Sequence, residues 1–427
     1  MLPLENFKVL DLSRLAAGNM VSHMFADFGA DVIKVEKPGK GDDLRNWQVN
    51  DIAHWWAVYS RNKRSIALNL KKEEGLNLLK ELVKSGDYTL GKPVEEFELL
   101  FAEAVGAKYA IGVGSGTDSL KIPLKALGVG PGDEVITAAN TFYASVGAIA
   151  EVGATPRFID CDDTFCLDVQ QLEENITKKT KAIMPIHLTG DVADMPKIME
   201  IANYHQIPVI EDGCQSLLGE RDGKQVSSWG LATGFSMHPL KIINVWGDAG
   251  VIVTNDDEMN TQARLLRNHG LKNRDEMQIF GYNSRLDSVQ AIVGKWMVRQ
   301  VESIVSVRAQ KAKIYDFGFS NIPEIQIPPR QLNTKNVFLL YMVFAQDRDG
   351  LLNYCLKKGI EAKIHYPIPL YQQAALAHLD YKKGDFPVTD RHAKECISFP
   401  VDQHLCDAEQ DYVIETVRSF YKDNNYG

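Results

Sequence analysis

Three short stretches gather residues of the types that do chemistry. The first is GVGSGTD, Gly112 to Asp118, between a strand-like run and a helical one. Glycines there let the backbone come close to a ligand, and the free N–H groups at a helix start favour a phosphate. Taken alone, the stretch is equally a tight strand-to-helix turn. The second is VIEDGCQ, Val209 to Gln215. An apolar strand ends there in two acids, and parallel sheets bind ligands at the carboxyl ends of their strands. An aspartate so placed can hold a buried cation or a protonated ring nitrogen. Asp212 alone is more simply a helix N-cap. The third is FSMHPLK, Phe235 to Lys241, followed by WGDAG, Trp246 to Gly250. Lys241 lies in an apolar loop between two strand candidates. A desolvated lysine has a lowered pKa and becomes a nucleophile toward carbonyls. A single lysine is ordinarily a snorkelling surface residue.

These stretches need a framework that brings them together. Strand candidates recur at 108–113, 133–138, 155–160, 180–186, 207–211, 232–237 and 249–254. Helical patterns separate most of the first five, which predicts an α/β layer with a mostly parallel sheet. The last two are close enough for a hairpin. Residues 257–306 read as mostly helical, without turn clusters. Beyond about 320 come a loop, a strand over 338–344, a helix over 351–358 and a strand ending at HYP (365–367). That pattern predicts a smaller C-terminal α+β domain. Pro123 falls inside the helix after the glycine cluster and is expected to kink it unless it lies in the first turn.

The first 84 residues read differently. FKVLDL (7–12) is a strand, Ser13 to Phe28 a helix and DVIKVE (31–36) a second strand, which makes a small βαβ unit. Leu15, Met20, His23, Met24 and Ala26 fall near one face of that helix. A strand within 61–70 and a helix over Glu73 to Lys84 follow, the latter with Leu76, Leu79, Leu82 and Val83 on its apolar side. The domains expected are therefore 1–84, 85–306 and 307–427.

Composition narrows the setting. The 427 residues carry 47 basic and 56 acidic side chains, a net charge of -9, which argues against a nucleic-acid binder. The longest uncharged run, Val135 to Ala150, contains Asn140, Thr141 and Ser145, so no membrane-spanning helix is expected. Glu5, Lys8 and Asp11 interrupt the N-terminal apolar pattern, which is unlike a signal peptide. Six cysteines without CxxC spacing predict a reduced, cytoplasmic chain and no metal site.

In their order and spacing, the motifs resemble a known family. SGDYTLGKPVEEFE (85–98), YAIGVGSGTDSL (109–120), GDEVITAANTFYAS (132–145), IPVIEDGCQS (207–216), FSMHPLK (235–241), GDAGVIVT (247–254), GYNSRLDSVQA (281–291) and HYPIPLYQQ (365–373) are similar to motifs of the DegT/DnrJ/EryC1/StrS sugar aminotransferases. The resemblance implies a pyridoxal 5'-phosphate enzyme of fold type I, the aspartate aminotransferase-like fold. It implies that Lys241 bonds the cofactor covalently and shuttles the proton, and that Asp212 bonds the ring nitrogen. Gln215 would lie near the ring hydroxyl, and Phe142 would stack on the ring. Gly116, Thr117 and Ser236 would hold the phosphate, with Asn283 reaching it from the partner subunit of a homodimer. The implied reaction moves an amino group, usually from glutamate, to a keto-sugar of cell-surface polysaccharide or lipopolysaccharide biosynthesis. The acceptor would be nucleotide-linked or, from the variant Met237 to Leu240 and Asn244 to Trp246, of the 8-oxo octulosonate type. Loops such as 217–230 and partner residues near 269–282 would form its pocket. His187, His269 and His365 could border it but read first as structural histidines.

Ile242, Ile243 and Ala249 depart from the usual family pattern. A larger departure lies at the N-terminus. FKVLDLSRLAAG (7–18), MFADFGADVIKVEKPGKGDDLR (24–45) and SRNKRSIALNLKKEEGLNLLKELV (60–83) resemble the start of family III CoA-transferases, with Asn19 in place of a usual proline. In that family the catalytic aspartate lies well beyond this segment, so CoA transfer is not expected. Arg14, Lys37, Arg45 and the basic residues of Arg61 to Arg64 are the candidate CoA contacts, against the plainer reading of a packed appendage. Two further readings are a noncatalytic, regulatory member that keeps the cofactor, and a CoA-binding fusion.

Overall fold

A computed structural model of the protein describes residues 8–47, 53–67, 71–85 and 89–423, together with Leu4 and Asn69. Phe7, Leu68, Leu70 and positions 86–88 of the SGDYTLG motif lie outside them. The chain divides into two compact units, Met1–Gly86 and Asp87–Gly427.

In the first unit, β1 (Lys8–Asp11), α1 (Leu15–Asp27) and β2 (Asp31–Glu36) form the expected βαβ unit. α2 (His54–Tyr59), β3 (Lys63–Ala67) and α3 (Glu73–Ser85) complete it. The strands are parallel in the order β1-β2-β3. Its interior is unusually polar. Lys34, Lys63, Asp11 and Asp42 have side chains only 1% exposed, and both lysines pair with Asp11. Lys63 also donates to Ser22 Oγ and the Asn19 carbonyl, and Asn19 donates to Asp42. Such a buried cluster holds only because its members satisfy one another. It also turns α1 around. Asn19, Ser22, His23 and Ala26 face inward, while Met20 and Met24 are about half exposed. Helical spacing alone groups both methionines with His23 and Ala26 near one face. The hydrogen bonds to Asn19 and Ser22 decide the orientation instead.

The second unit begins with α4 (Lys92–Ala104), β4 (Tyr109–Val113), α5 (Gly116–Ala126), β5 (Glu134–Ala138), α6 (Tyr143–Glu151) and β6 (Thr155–Ile159). Next come β7 (Thr180–Met184), α7 (Met195–Tyr204), β8 (Ile210–Asp212), β9 (Glu220–Arg221), β10 (Lys224–Gln225), β11 (Ala232–Ser236) and β12 (Gly250–Thr254). Parallel bridges from Ile183 to Val209 and Ile186 to Asp212 join the two main ladders. The sheet then reads β4-β12-β11-β8-β7-β5-β6, with β12 alone antiparallel. β11 and β12 form the expected hairpin. Val135, Ile136, Ile183, Ile210 and Val251 to Val253 are at most 0–2% exposed, as strands covered on both faces require. Each such side chain contributes about 1.5–3 kcal/mol on burial. Helix α5 runs continuously through Pro123, which lies well past the first turn.

The remainder departs from the sequence pattern in three places. α8 (Asp257–Arg267) and α9 (Ser288–Val298) are helical, but 268–287 between them is not. Gly270 there has φ +73°, and bridges tie Asn268 to Asn283 and Leu271 to Met277. α10 (Val301–Phe319) crosses the expected 306/307 boundary and serves two cores, Val301 and Ile304 in one, Tyr315 and Phe319 in the other. β13 (Ile325–Gln326), β14 (Thr334–Lys335), β15 (Tyr341–Ala345), α11 (Arg348–Lys357), α12 (Pro387–Glu395), β16 (Cys396–Phe399) and α13 (Asp407–Asp423) follow. No strand forms at HYP; β15 pairs with β13 and β16 instead.

Candidate functional site

The parallel strands β4, β5, β8 and β11 all end on one edge of the sheet, and three of the sequence motifs begin there. Asp212 is the last residue of β8 and is 6% exposed. Its Oδ2 accepts from Ser145 Oγ at 2.7 Å, and its Oδ1 accepts from the Cys214 N–H at 3.1 Å. Asp212 is therefore fixed by two donors and is not a helix N-cap. Among the described residues no cation pairs with it. A buried carboxylate without a counter-ion suits a protonated ring nitrogen.

On the same edge, α5 opens at Gly116. Ser115 is its N-cap and accepts from the Asp118 N–H at 3.0 Å. The N–H groups of Gly116 and Thr117 belong to the first turn and have no partner within the helix. A Cβ added at Gly116 would lie 2.6 Å from Ser236 Cβ, at the end of β11. Only a glycine lets the helix start and Ser236 sit this close. Ser236 Oγ accepts from the His238 N–H at 3.3 Å, which leaves its proton to donate. Amides, a hydroxyl and the positive helix end fit a phosphate.

Lys241 is half-buried, and its Nζ lies 5.9 Å from the centroid of the Phe142 ring. Among the described residues no carboxylate pairs with it. Phe142 is the residue before α6 and Ser145 lies in its first turn, so one segment carries both the ring and the donor to Asp212. Gln215 is buried, and its Oε1 accepts from the Thr189 N–H at 2.9 Å.

Tyr366 was not singled out by sequence, although it stands in the quoted HYPIPLYQQ motif. Its ring is 6.0 Å from Phe142, and its hydroxyl lies beside Gln215 and Asp212. Burial pushes its phenol well above the usual range. Burial also pushes the Cys214 thiol well up, with Asp212 adding to the effect and Lys241 opposing it. Ser145, within the GDEVITAANTFYAS motif, carries no signal of its own in the sequence.

Among the histidines, His187 is buried and its Nδ1 accepts from the Ala193 N–H, so Nε2 donates to Glu211 at 3.0 Å. It is structural. His365 Nδ1 lies 2.9 Å from Ser398 Oγ, and burial, with Lys363 and Lys241 adding to it, pushes the imidazole down to about 4. A cavity of about 370 Å³ is lined by Lys241, Asn244, Arg308, Lys363 and His365. The loop 217–230 folds into the antiparallel pair β9 and β10, and β9 also pairs with β14. His269 takes φ +58° and its N–H donates to the Tyr282 carbonyl. Asn283 is exposed and bridges to Asn268. Its neighbour Ser284 donates to Asp118 and accepts from the Gly114 N–H.

In the first unit the candidate CoA contacts are engaged internally. Arg14 pairs with Asp43, Arg61 with Asp27 and Arg64 with Asp31. Arg45 forks onto Glu36 at 2.7 and 2.8 Å and lies 3.9 Å over the Trp56 ring. Lys63 belongs to the buried cluster, and Lys37 is exposed. Basic side chains already held by carboxylates fit a packed appendage.

Comparison with known proteins agrees with this division. The model of the DegT/DnrJ/EryC1/StrS aminotransferase family matches residues 69–418, and that of CoA-transferase family III matches residues 4–90. A pleiotropic regulatory protein of Geobacillus stearothermophilus is 39% identical over 82% of this chain and 95% of its own. The UDP-2-acetamido-2-deoxy-3-oxo-D-glucuronate aminotransferase of Pseudomonas aeruginosa is 38% identical over 77% of this chain and 90% of its own. The structure of S. venezuelae DesV in complex with a ketimine intermediate superposes with a TM-score of 0.80 at 33% identity, covering 82% and 95% of the two chains. The PLP form of a putative sugar aminotransferase from Streptococcus pneumoniae gives 0.78 at 25% identity, covering 82% and 97%.

Proposed function

The chain belongs to the DegT/DnrJ/EryC1/StrS aminotransferase family, a pyridoxal-phosphate-dependent group, and on that premise we propose that it transfers an amino group from glutamate to a keto-sugar. The acceptor is nucleotide-linked or of the 8-oxo octulosonate type, and the product enters cell-surface polysaccharide or lipopolysaccharide. The observation that carries this reading is the convergence of Gly116, Ser236, Asp212 and Lys241 on one edge of the sheet. No helix among the described residues is long and apolar enough to cross a membrane, and all six cysteines are free. Both support a cytoplasmic enzyme.

Each side chain has a task that its placement suits. Gly116, Thr117 and Ser236 hold the phosphate. Asp212 keeps the ring nitrogen protonated, oriented by Ser145 and the Cys214 N–H. Phe142 covers one face of the ring, and Gln215 and Tyr366 close the site beside the ring hydroxyl and exclude water. Lys241 Nζ would hold the aldehyde carbon of the resting cofactor and, once the donor amine has displaced it, would move the proton at the amino-bearing carbon. Bound pyridoxal phosphate supplies an electron sink for that proton's removal.

The site works between two copies. Tyr143 and Leu240, beside Phe142 and Lys241 in the chain, and Phe280 are 67%, 72% and 87% exposed, large apolar side chains consistent with a homodimer interface. Asn283, on the same segment as Phe280, reaches the partner's phosphate. Residues 1–84 are a packed appendage before two domains, the second beginning within α10 rather than at 307.

A half-reaction tests the reading. Glutamate should convert the yellow cofactor form to the pyridoxamine form, and a panel of keto-sugars should reverse it. The name of the Geobacillus stearothermophilus relative favours one other reading, a regulatory member. Cofactor bound without conversion by any amino donor would establish that one instead.

A further inference from the structure

Helix α1 is inverted relative to an ordinary surface helix. Its inward face carries Asn19, Ser22 and His23, which are buried, together with Ala26. Its outward face carries Met20 at 50%, Val21 at 54%, Met24 at 51% and Phe25 at 40% exposure, continued by Phe28 at 51%. With Ala17 these residues lie at positions 17, 20, 21, 24, 25 and 28, one continuous stripe at helical spacing. No charge interrupts it. Charged pairs stand at its two ends, Arg14 with Asp43 and Arg61 with Asp27. An apolar centre with a charged rim has the anatomy of an interface.

The stripe is also symmetric about its own centre. In an antiparallel pair of such helices related by a two-fold axis between residues 22 and 23, Ala17 faces Phe28, Met20 faces Phe25 and Val21 faces Met24 of the partner. The small residue meets the large one at each end, and the flexible methionines meet an aromatic or a branched side chain in the middle. A stripe about 17 Å long, at 1.5 Å per residue, joined to its twin hides on the order of 1,000 Å². That reaches the lower limit for a specific interface.

We infer that the N-terminal unit is a self-association module: a second copy of this chain docks on the outward face of α1, helix against antiparallel helix. This contact lies on Met1–Gly86 and is additional to the pairing proposed for the aminotransferase unit. With both contacts made, the assembly is larger than a dimer.

Sedimentation velocity on the full chain, over a concentration series in the micromolar range, tests this. The wild-type mass should reach twice that of a Met24→Glu/Phe25→Glu variant at the same concentration. Both positions are exposed, so circular dichroism and cofactor absorbance report that the variant stays folded. A second variant, Val21→Cys/Met24→Cys in a Cys406→Ser background, should give a covalent dimer on mild oxidation, because 21 faces 24 across the axis. Equal masses for wild type and charged variant, with no covalent dimer, would overturn the inference and leave the face to a different partner.

Discussion

Ser145 Oγ donates a 2.7 Å hydrogen bond to Asp212 Oδ2, from the first turn of α6 to the end of β8. The same oxygen lies 3.1 Å from Thr141 Oγ1. Phe142 sits between those two residues in the chain. The group that faces the cofactor ring and the group that orients its carboxylate partner are thus one rigid segment.

Removing that donor should show how much the orientation matters. A hydrogen bond to a charged group contributes about 1.5–3 kcal/mol. Ser145→Ala should therefore slow the glutamate half-reaction by roughly 10- to 100-fold, and Asp212→Asn should slow it further. The two effects should not add, because Ser145 acts only through Asp212. A wild-type rate in Ser145→Ala would show that the Cys214 N–H alone fixes the carboxylate.

The approach of Gly116 to Ser236 makes a second prediction. Gly116→Ala places a methyl group 2.6 Å from Ser236 Cβ, so either the helix start or the strand end must move. Pyridoxal phosphate affinity, measured by absorbance titration, should fall by about 10-fold or more, as lost phosphate donors imply. Adding Ser236→Gly should relieve the contact yet not restore affinity fully, since the hydroxyl is gone. Full restoration would mean that Ser236 serves only as a wall.

Lys241 carries the clearest expectation. The purified chain should be yellow, and borohydride should fix the colour-bearing group to this residue. Lys241→Ala should lose transfer by about 10⁴-fold, the upper range for a group that moves a proton, while phosphate binding persists at Gly116 and Ser236. Peptide mapping after reduction provides the check. A different modified lysine would remove Lys241 from the mechanism.

The framework was legible because buried parallel strands announce themselves. Runs such as Val135-Ile136 of β5 and Val209-Ile210, which lead into the acids of β8, are apolar and almost fully buried. The site residues followed from the motifs that close those strands. What stayed hidden depends on tertiary contacts. Nothing local marks Tyr366 as a neighbour of Gln215, which is distant in sequence. The inversion of α1 comes from Lys34 and Lys63, whose burial against Asp11 no local spacing marks. The segment 268–287 lacks a dense turn cluster, so helical spacing on both sides masked it. The histidines illustrate the same limit: their types say little, but their surroundings are decisive.

His392 shows this most clearly and yields a pH prediction. It is fully buried in α12, 4.7 Å from the Phe165 ring and 5.3 Å from the Phe344 ring, and neither ring nitrogen has a hydrogen-bond partner. Burial, with Arg391 adding to it, pushes the imidazole down to about 4. In the unfolded chain a histidine titrates near pH 6.5. Between those values the unfolded chain takes up a proton that the folded chain refuses. Stability is therefore intact above about pH 6.5 and falls as the pH drops toward 4, by about 1.4 kcal/mol per pH unit for this residue. His365 contributes in the same direction. His392→Phe keeps an aromatic ring between Phe165 and Phe344 and removes one titration. Urea unfolding at a series of pH values should give a stability slope shallower by about 1.4 kcal/mol per unit in the variant, with the two proteins parallel above pH 7. Identical slopes between pH 6 and 4.5 would mean that His392 is protonated in the folded protein, and that Asp163 or Asp160, which favour its charge, outweigh the burial.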